Sequence, residues 1–165
     1  MKVSISHKEG YDSESMVFEA KTSKSSFEIR PSTISPVEYF ASGMVACSAT
    51  DMVMLPKQQG YSISHLNIEA DIVRNETHPK KFNEIHLIYS FNSDADDLIA
   101  RRWVLSTIET YCSTLNTVRG VSKISFSIVH NGKVIADRDE VVSGENNTIL
   151  ESNGNIPDIG GACEA

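Results

Sequence analysis

The chain has 165 residues, 40% of them hydrophobic, and only three cysteines, which suits one domain whose core needs no staple of disulfides or metal. The formal charge of −7 is uneven: residues 137–165 carry seven acids against the single base Arg138, while the nearly neutral body has no basic stripe to neutralise phosphates, which argues against a nucleic-acid partner. No apolar run reaches the roughly 18–20 residues of a membrane span, and the start MKVSISHKEG lacks the apolar segment of a secretory signal. The expectation is a soluble cytoplasmic protein whose cysteines rest as thiols.

Three short strands come first. Val3 and Ile5 alternate with Ser4 and Ser6 over Lys2–Lys8, and Ser15–Thr22 and Ser25–Pro31 read the same way around the polar turn Ser23–Lys24. The period then changes. Ser35-Pro36-Val37-Glu38 is a helix start, with Ser35 and Glu38 forming a capping box and proline at the first helical position. From Val37 to Leu55 the segment is apolar on nearly every side, so a buried helix is expected. Pro56 should end or kink it, with Gly60 as the terminal residue beyond.

Two longer strands follow, carrying Leu66, Ile68, Ala70 and Ile72, then Ile85, Leu87, Tyr89 and Phe91. The polar turn between them, residues 75–80, lets them pair as an antiparallel hairpin. Ser93 or Asp94 is the expected cap of a second helix with Asp96 and Asp97 in its first turn. Leu98, Leu105, Ile108, Cys112 and Leu115 would share one face, and Gly120 would close the element. Residues 123–129 form a strand with Ile124, Phe126 and Ile128 inward, and Asn131-Gly132 turns it back through Lys133–Ala136. The order is βββ-α-ββ-α-β with a short return strand, in the α+β class. Residues 1–136 form the domain and residues 137–165 an acidic, irregular tail, from which Ile149, Leu150 and Ile156 could dock on a partner.

Chemistry concentrates on two cysteines. Cys47 and Cys112 fall on the two helices, and Asp51, four residues after Cys47, shares its helix face. An unpaired carboxylate there raises the thiol pKa and opposes activation, whereas one that anchors an arginine facing the sulfur promotes it. Spacing leaves both open, and two cysteines on buried faces also read as small core residues. His7, His65, His78, His86 and His130 show no ligand spacing and there is no CxxC, so no metal or cofactor is expected. No glycine-rich loop opens a helix to hold a nucleotide phosphate. Cys163, near the end of the tail, reads as incidental.

Ser35-Pro36-Val37-Glu38, Gly43 and Ala46-Cys47-Ser48-Ala49-Thr50-Asp51 together resemble the first cysteine helix of the OsmC/Ohr family, and Tyr111-Cys112-Ser113 resembles its second cysteine motif. The likeness spans roughly residues 1–135, and the run P-x-E…C-S-A-x-D is similar to that of the YhfA-like branch. The resemblance implies an intertwined homodimer with two central helices packed between sheets and its active sites at the subunit interface. It implies thiol-dependent reduction of hydroperoxides, often organic, with Cys47 as the peroxidatic thiolate and Cys112 as the resolving thiol. An external dithiol, such as a dihydrolipoyl group, would then reduce the disulfide. In the Ohr proteins an early arginine stands by the thiolate, held by a glutamate directly after the helix-start proline. Here Val37 follows Pro36, Glu38 comes one residue later, and Arg30 on the third strand is the available cation. That departure keeps alternatives in view: a non-enzymatic dimer binding a small apolar ligand between its helices, or a redox-sensing interaction partner acting through Cys163 and the acidic tail.

Overall fold

The computed structural model describes residues 1–141; the remainder of the expected tail, with Cys163, Ile149, Leu150 and Ile156, lies outside the described residues. The chain divides into two compact units, Met1–Gly43 and Met44 onward.

The first unit is a three-stranded antiparallel sheet in the order β1-β2-β3, formed by β1 (Ser4–Glu9), β2 (Val17–Lys21) and β3 (Ser26–Ile29). The three strands fall within a few residues of where the alternation places them, β1 starting two residues later and ending one residue beyond the expected span, and the others shorter at both ends. The Thr22 hydroxyl accepts from the amides of Lys24 and Ser25 and closes the β2–β3 turn. Arg30 falls just after β3 rather than on it, because the amides of Thr33 and Ile34 bond back to its carbonyl in a turn. Helix α1 (Pro36–Gln58) then starts as its capping box predicts: the Ser35 amide donates to Glu38 Oε2 at 2.7 Å, and the Glu38 amide donates to Ser35 Oγ at 3.2 Å.

In the second unit, α1 departs from the sequence expectation of a helix buried all round. Met44, Ser48, Asp51, Met52, Leu55 and Pro56 are buried, but Val53 is 48% exposed. Those buried positions recur every three or four residues, so one face of this part of the helix meets the core while Val53 stays exposed among the described residues. Pro56 does not stop the helix at once, which runs two residues further, and Gly60 at φ +82° ends the segment.

The main sheet has the order β4-β5-β6-β7, from β4 (Ile63–Arg74), β5 (Phe82–Ser93), β6 (Lys123–His130) and β7 (Lys133–Glu140). β4 and β5 form the expected antiparallel hairpin, β5 and β6 are parallel, and β6 and β7 are antiparallel. The parallel pair requires a crossover, which the helices after β5 supply. Asn131 and Gly132 both have positive φ, as a two-residue hairpin turn demands. β7 continues past Ala136 to Glu140, so the acidic run begins inside the sheet. Its charges are met there, Asp139 by Arg101 and Glu140 by Lys123, each at 2.7 Å. A polar edge strand hides from a reading based on hydrophobic alternation.

Helix α2 (Asp97–Ser106) is capped by Asp96, whose side chain accepts from the Ile99 amide. Ser93 and Asp94, the expected caps, are engaged elsewhere: Ser93 with His130 and Asp94 with the Ser62 amide. The buried face is Ala100, Trp103, Val104, Thr107 and Ile108, and Leu98, expected on that face, is 64% exposed. The cap shift moves the helix start, and with it the residue that first meets the core. Nor does one helix reach Leu115. A π-helical turn at Thr107–Tyr111 leads to Cys112 in an extended conformation (φ −70°, ψ 98°), and a separate short helix α3 (Ser113–Val118) follows. The core lies between these helices and one face of the sheet, joining Ile85, Leu87, Tyr89 and Phe91 of β5 to Ile124, Phe126 and Ile128 of β6 and to Met44, Met52, Trp103 and Leu115.

Candidate thiol site

Two local features bring the site together. On α1, Cys47 and Asp51 are one helical turn apart and therefore share a face. On the other side, the run Ser106–Thr114 is dominated by Ser, Thr, Ile, Tyr and Cys, with Glu109 the one strong helix former. The helix widens there, and the Cys112 amide bonds to Thr107 O, five residues back. The loosened carbonyls are taken up by side chains: Asn116 Nδ2 donates to Ile108 O and Cys112 O at 3.2 and 2.9 Å, and Arg119 Nη1 donates to Glu109 O at 3.1 Å. Cys112 thus sits at a backbone break whose Ile108, Glu109 and Cys112 carbonyls are taken up by side-chain donors.

The Cys47 sulfur, a carboxylate oxygen of Asp51 and the Cys112 sulfur all lie within 4.8 Å of one another. Both cysteines are thiols rather than halves of a disulfide. Cys112 and Asp51 are wholly buried, whereas Cys47 is half-buried and is the member that solvent reaches. Cys112 Sγ lies 3.2 Å from Thr114 Oγ1, and both face the Met44 carbonyl, at 3.9 and 3.4 Å. Beside them Tyr89 OH and Ser48 Oγ share a buried hydrogen bond of 2.7 Å.

Burial raises the Asp51 carboxyl to about 6, and neither of its oxygens has a hydrogen-bond partner among the described residues. The Cys112 thiol is pushed up to about 12 by burial, with the neighbouring Cys47 adding to the rise and the Thr114 hydroxyl and Leu115 amide opposing it. Burial also raises the Tyr89 phenol. A carboxylate with a pKa just below neutrality is mostly ionised at pH 7 and close to the optimum for accepting a proton.

Of the residues singled out in the sequence, Cys47, Asp51 and Cys112 come together. Arg30 forms an exposed ion pair with Glu28 at 2.8 Å, and Glu38 is occupied in the capping box. Ser48, Tyr89, Thr114 and the Met44 carbonyl were not anticipated. The alternation placed Tyr89 facing inward, and a phenol on a core face requires a buried partner, so that signal was present. Thr114 stood in the Ser/Thr run without a distinguishing mark.

The family described as OsmC-like protein matches residues 30–127. No curated protein is matched. Among solved structures, a hypothetical protein from Aquifex aeolicus VF5 superimposes with a TM-score of 0.65 at 22% identity, covering 79% of this chain and 98% of that one. An OsmC-like protein from Mycoplasma pneumoniae gives 0.65 at 17% identity, covering 79% and 97%. The organic hydroperoxide resistance protein OhrB of Bacillus subtilis gives 0.51 at 16% identity, covering 78% and 98%. At such identities these structures share a fold with this chain.

Proposed function

The chain belongs to the OsmC-like protein family, and on that footing we propose that it is a thiol-dependent peroxidase for organic hydroperoxides, acting through Cys47 and Cys112. The observation that carries this reading is the approach of the two sulfurs, one on α1 and one at the break before α3, to within 4.8 Å of each other. The half-buried Cys47 attacks the outer peroxide oxygen as a thiolate. The O–O bond breaks, the alkoxide leaves as an alcohol after gaining a proton, and Cys47 becomes a sulfenic acid. The Cys112 sulfur displaces the hydroxyl from that sulfenic acid, releasing water and forming a disulfide. An external dithiol then reduces the disulfide by exchange, and the name of the B. subtilis neighbour supports the substrate class.

Asp51 is the proton acceptor in this scheme. It stands beside both thiols with two oxygens that lack a partner among the described residues, and general-base removal of a proton needs no permanently lowered thiol pKa. Arg30 and Glu38 remain the chain's candidates for an activating cation and its anchor, and each would have to exchange its present partner, Glu28 or Ser35, to act. The assembly proposed is a homodimer in the cytoplasm. The exposed Phe40 and Val53 on α1 give a second copy apolar surface to cover.

Peroxide consumption with a dithiol tests the reading. Cys47→Ser should abolish turnover, and Cys112→Ser should leave a sulfenic acid that a dimedone-type reagent traps. A Cys47→Ser protein as active as the parent contradicts it. The high pKa of Cys112 favours the rival reading of a non-enzymatic apolar-ligand binder. In that case Cys47 should alkylate slowly and no disulfide should form with peroxide.

A further inference from the structure

The same three side chains have a second chemical meaning, which depends on their donor atoms and not on peroxide chemistry. We infer that Cys47, Asp51 and Cys112 form a binding site for one divalent cation of the zinc class, held by two thiolate sulfurs and one carboxylate oxygen.

Two independent observations carry this. The first is convergence: three ligand atoms from two separate backbone segments lie within 4.8 Å of one another. In a tetrahedral site with zinc–sulfur bonds of about 2.3 Å and zinc–oxygen bonds of about 2.0 Å, ligand atoms stand roughly 3.5–3.8 Å apart. The cluster closes on such an ion by movements of about an ångström, which side-chain rotation in the half-buried Cys47 can supply. The second is the state of Asp51. It is 0% exposed, and both carboxylate oxygens lack a hydrogen-bond partner among the described residues. A buried carboxylate left so is costly, and a bound cation is among the few partners that remove the cost outright.

The donor set selects the ion. Calcium and magnesium need six or more oxygen ligands, and the site offers one carboxylate. Two soft thiolates and one hard carboxylate suit zinc, which tolerates mixed sulfur and oxygen donors in a tetrahedron. Three protein ligands leave a fourth position for water or another small ligand. With the metal bound, both sulfurs are committed and cannot form a disulfide, so the metal-loaded protein is protected from peroxide and the metal-free protein is open to it.

Nothing in the sequence pattern pointed to this site. Metal spacing is normally sought as CxxC or HxxxH within one segment, and here a separation of 65 positions between the cysteines is closed by the fold.

The test is a titration of the reduced, metal-free full chain with cobalt(II), a spectroscopic stand-in for zinc, without peroxide. The expected result is one equivalent per chain, with the near-ultraviolet band of thiolate-to-cobalt charge transfer and the visible bands of tetrahedral cobalt, all displaced by zinc. Cys163→Ser should leave these bands intact, and Cys47→Ser and Cys112→Ser should each remove or halve the charge-transfer band. Asp51→Asn, its fold checked by circular dichroism, should weaken binding by more than the roughly 10–100-fold typical of losing a group that merely supports a ligand. Zinc should also shield Cys47 from alkylation in the unmutated protein, a measurement that needs no variant to fold. Absence of the charge-transfer band, full affinity in Asp51→Asn, or unchanged alkylation with zinc each overturns the proposal. Peroxidase turnover is assayed separately with a chelator present, so failure of either idea leaves the other standing.

Discussion

Two carboxylates in the main unit sit beside reactive-looking side chains, and their surroundings are opposite. Asp97 is half exposed and doubly engaged, by His130 Nδ1 at 2.8 Å and by Lys133 Nζ at 2.7 Å. The buried His130 is itself held on its other nitrogen by Ser93 Oγ at 2.8 Å. Every polar atom in that cluster has a partner, and its work is to pin the start of α2 to the ends of β5 and β6. Asp51 is fully buried and has no partner for either oxygen among the described residues. Hydrogen bonds from Lys133 and His130 hold Asp97 below the usual carboxylate range, while burial lifts Asp51 to about 6. A serine, histidine and aspartate in line look more like machinery than two cysteines and an aspartate do. Satisfaction separates them: the completed network is structural, and the incomplete one is the place the proposed function assigns to receiving a proton or an ion.

The largest effect that would break this contrast is on stability. His130→Ala should destabilise the protein by roughly 3 kcal/mol, since it removes a buried ring and strips two partners of their bonds. Urea unfolding measures it, and the alkylation rate of Cys47 should not change. A lost thiol reactivity with intact stability would mean that the roles are assigned the wrong way round.

Next comes the pH dependence, which has opposite sign for the two acids. A carboxyl raised on folding binds its proton more tightly in the folded state, so ionising Asp51 removes stability as pH rises from about 4 to about 6. The shift corresponds to a loss on the order of 3 kcal/mol, complete above that window. The difference in unfolding free energy between the parent and Asp51→Asn should therefore move in the variant's favour across it. A constant difference from pH 4 to pH 7 would show that Asp51 is not the strained group described. Asp97 behaves conversely, because its lowered pKa makes its ionised form stabilising. Asp97→Asn should lower the melting temperature modestly at neutral pH, and the deficit should fade as the parent's carboxylate is protonated below the ordinary carboxylate range. That is the smallest of these effects, given the exposure of Asp97 and its screening by solvent.

Much of the architecture was legible because hydrophobic period and turn chemistry are local signals. The β4–β5 hairpin, the Asn131-Gly132 turn and the Ser35–Glu38 capping box all follow from neighbours within a few residues. The errors came where a distant partner decides. Ser93 and Asp94 were expected to cap α2 but are drawn to His130 and Ser62. The break before Cys112 was also missed, since seeing it required weighing eight weak helix formers among the nine residues Ser106–Thr114 against a plausible apolar stripe. At the site, the Cys47–Asp51 face was readable from their spacing of four. The burial that leaves Asp51 without a partner among the described residues was not, because it depends on Cys112 and Tyr89, far away in sequence, being brought near it.

The central claim is that Cys47 and Cys112 act as a redox pair, and peptide mapping after peroxide treatment tests it most directly. Reduced, metal-free protein treated with one equivalent of an organic hydroperoxide should lose two hydrogens per chain and yield a single crosslinked peptide joining Cys47 to Cys112, reversible by a dithiol. Peroxide left unconsumed, or both cysteines recovered as free thiols after its consumption, would contradict the account.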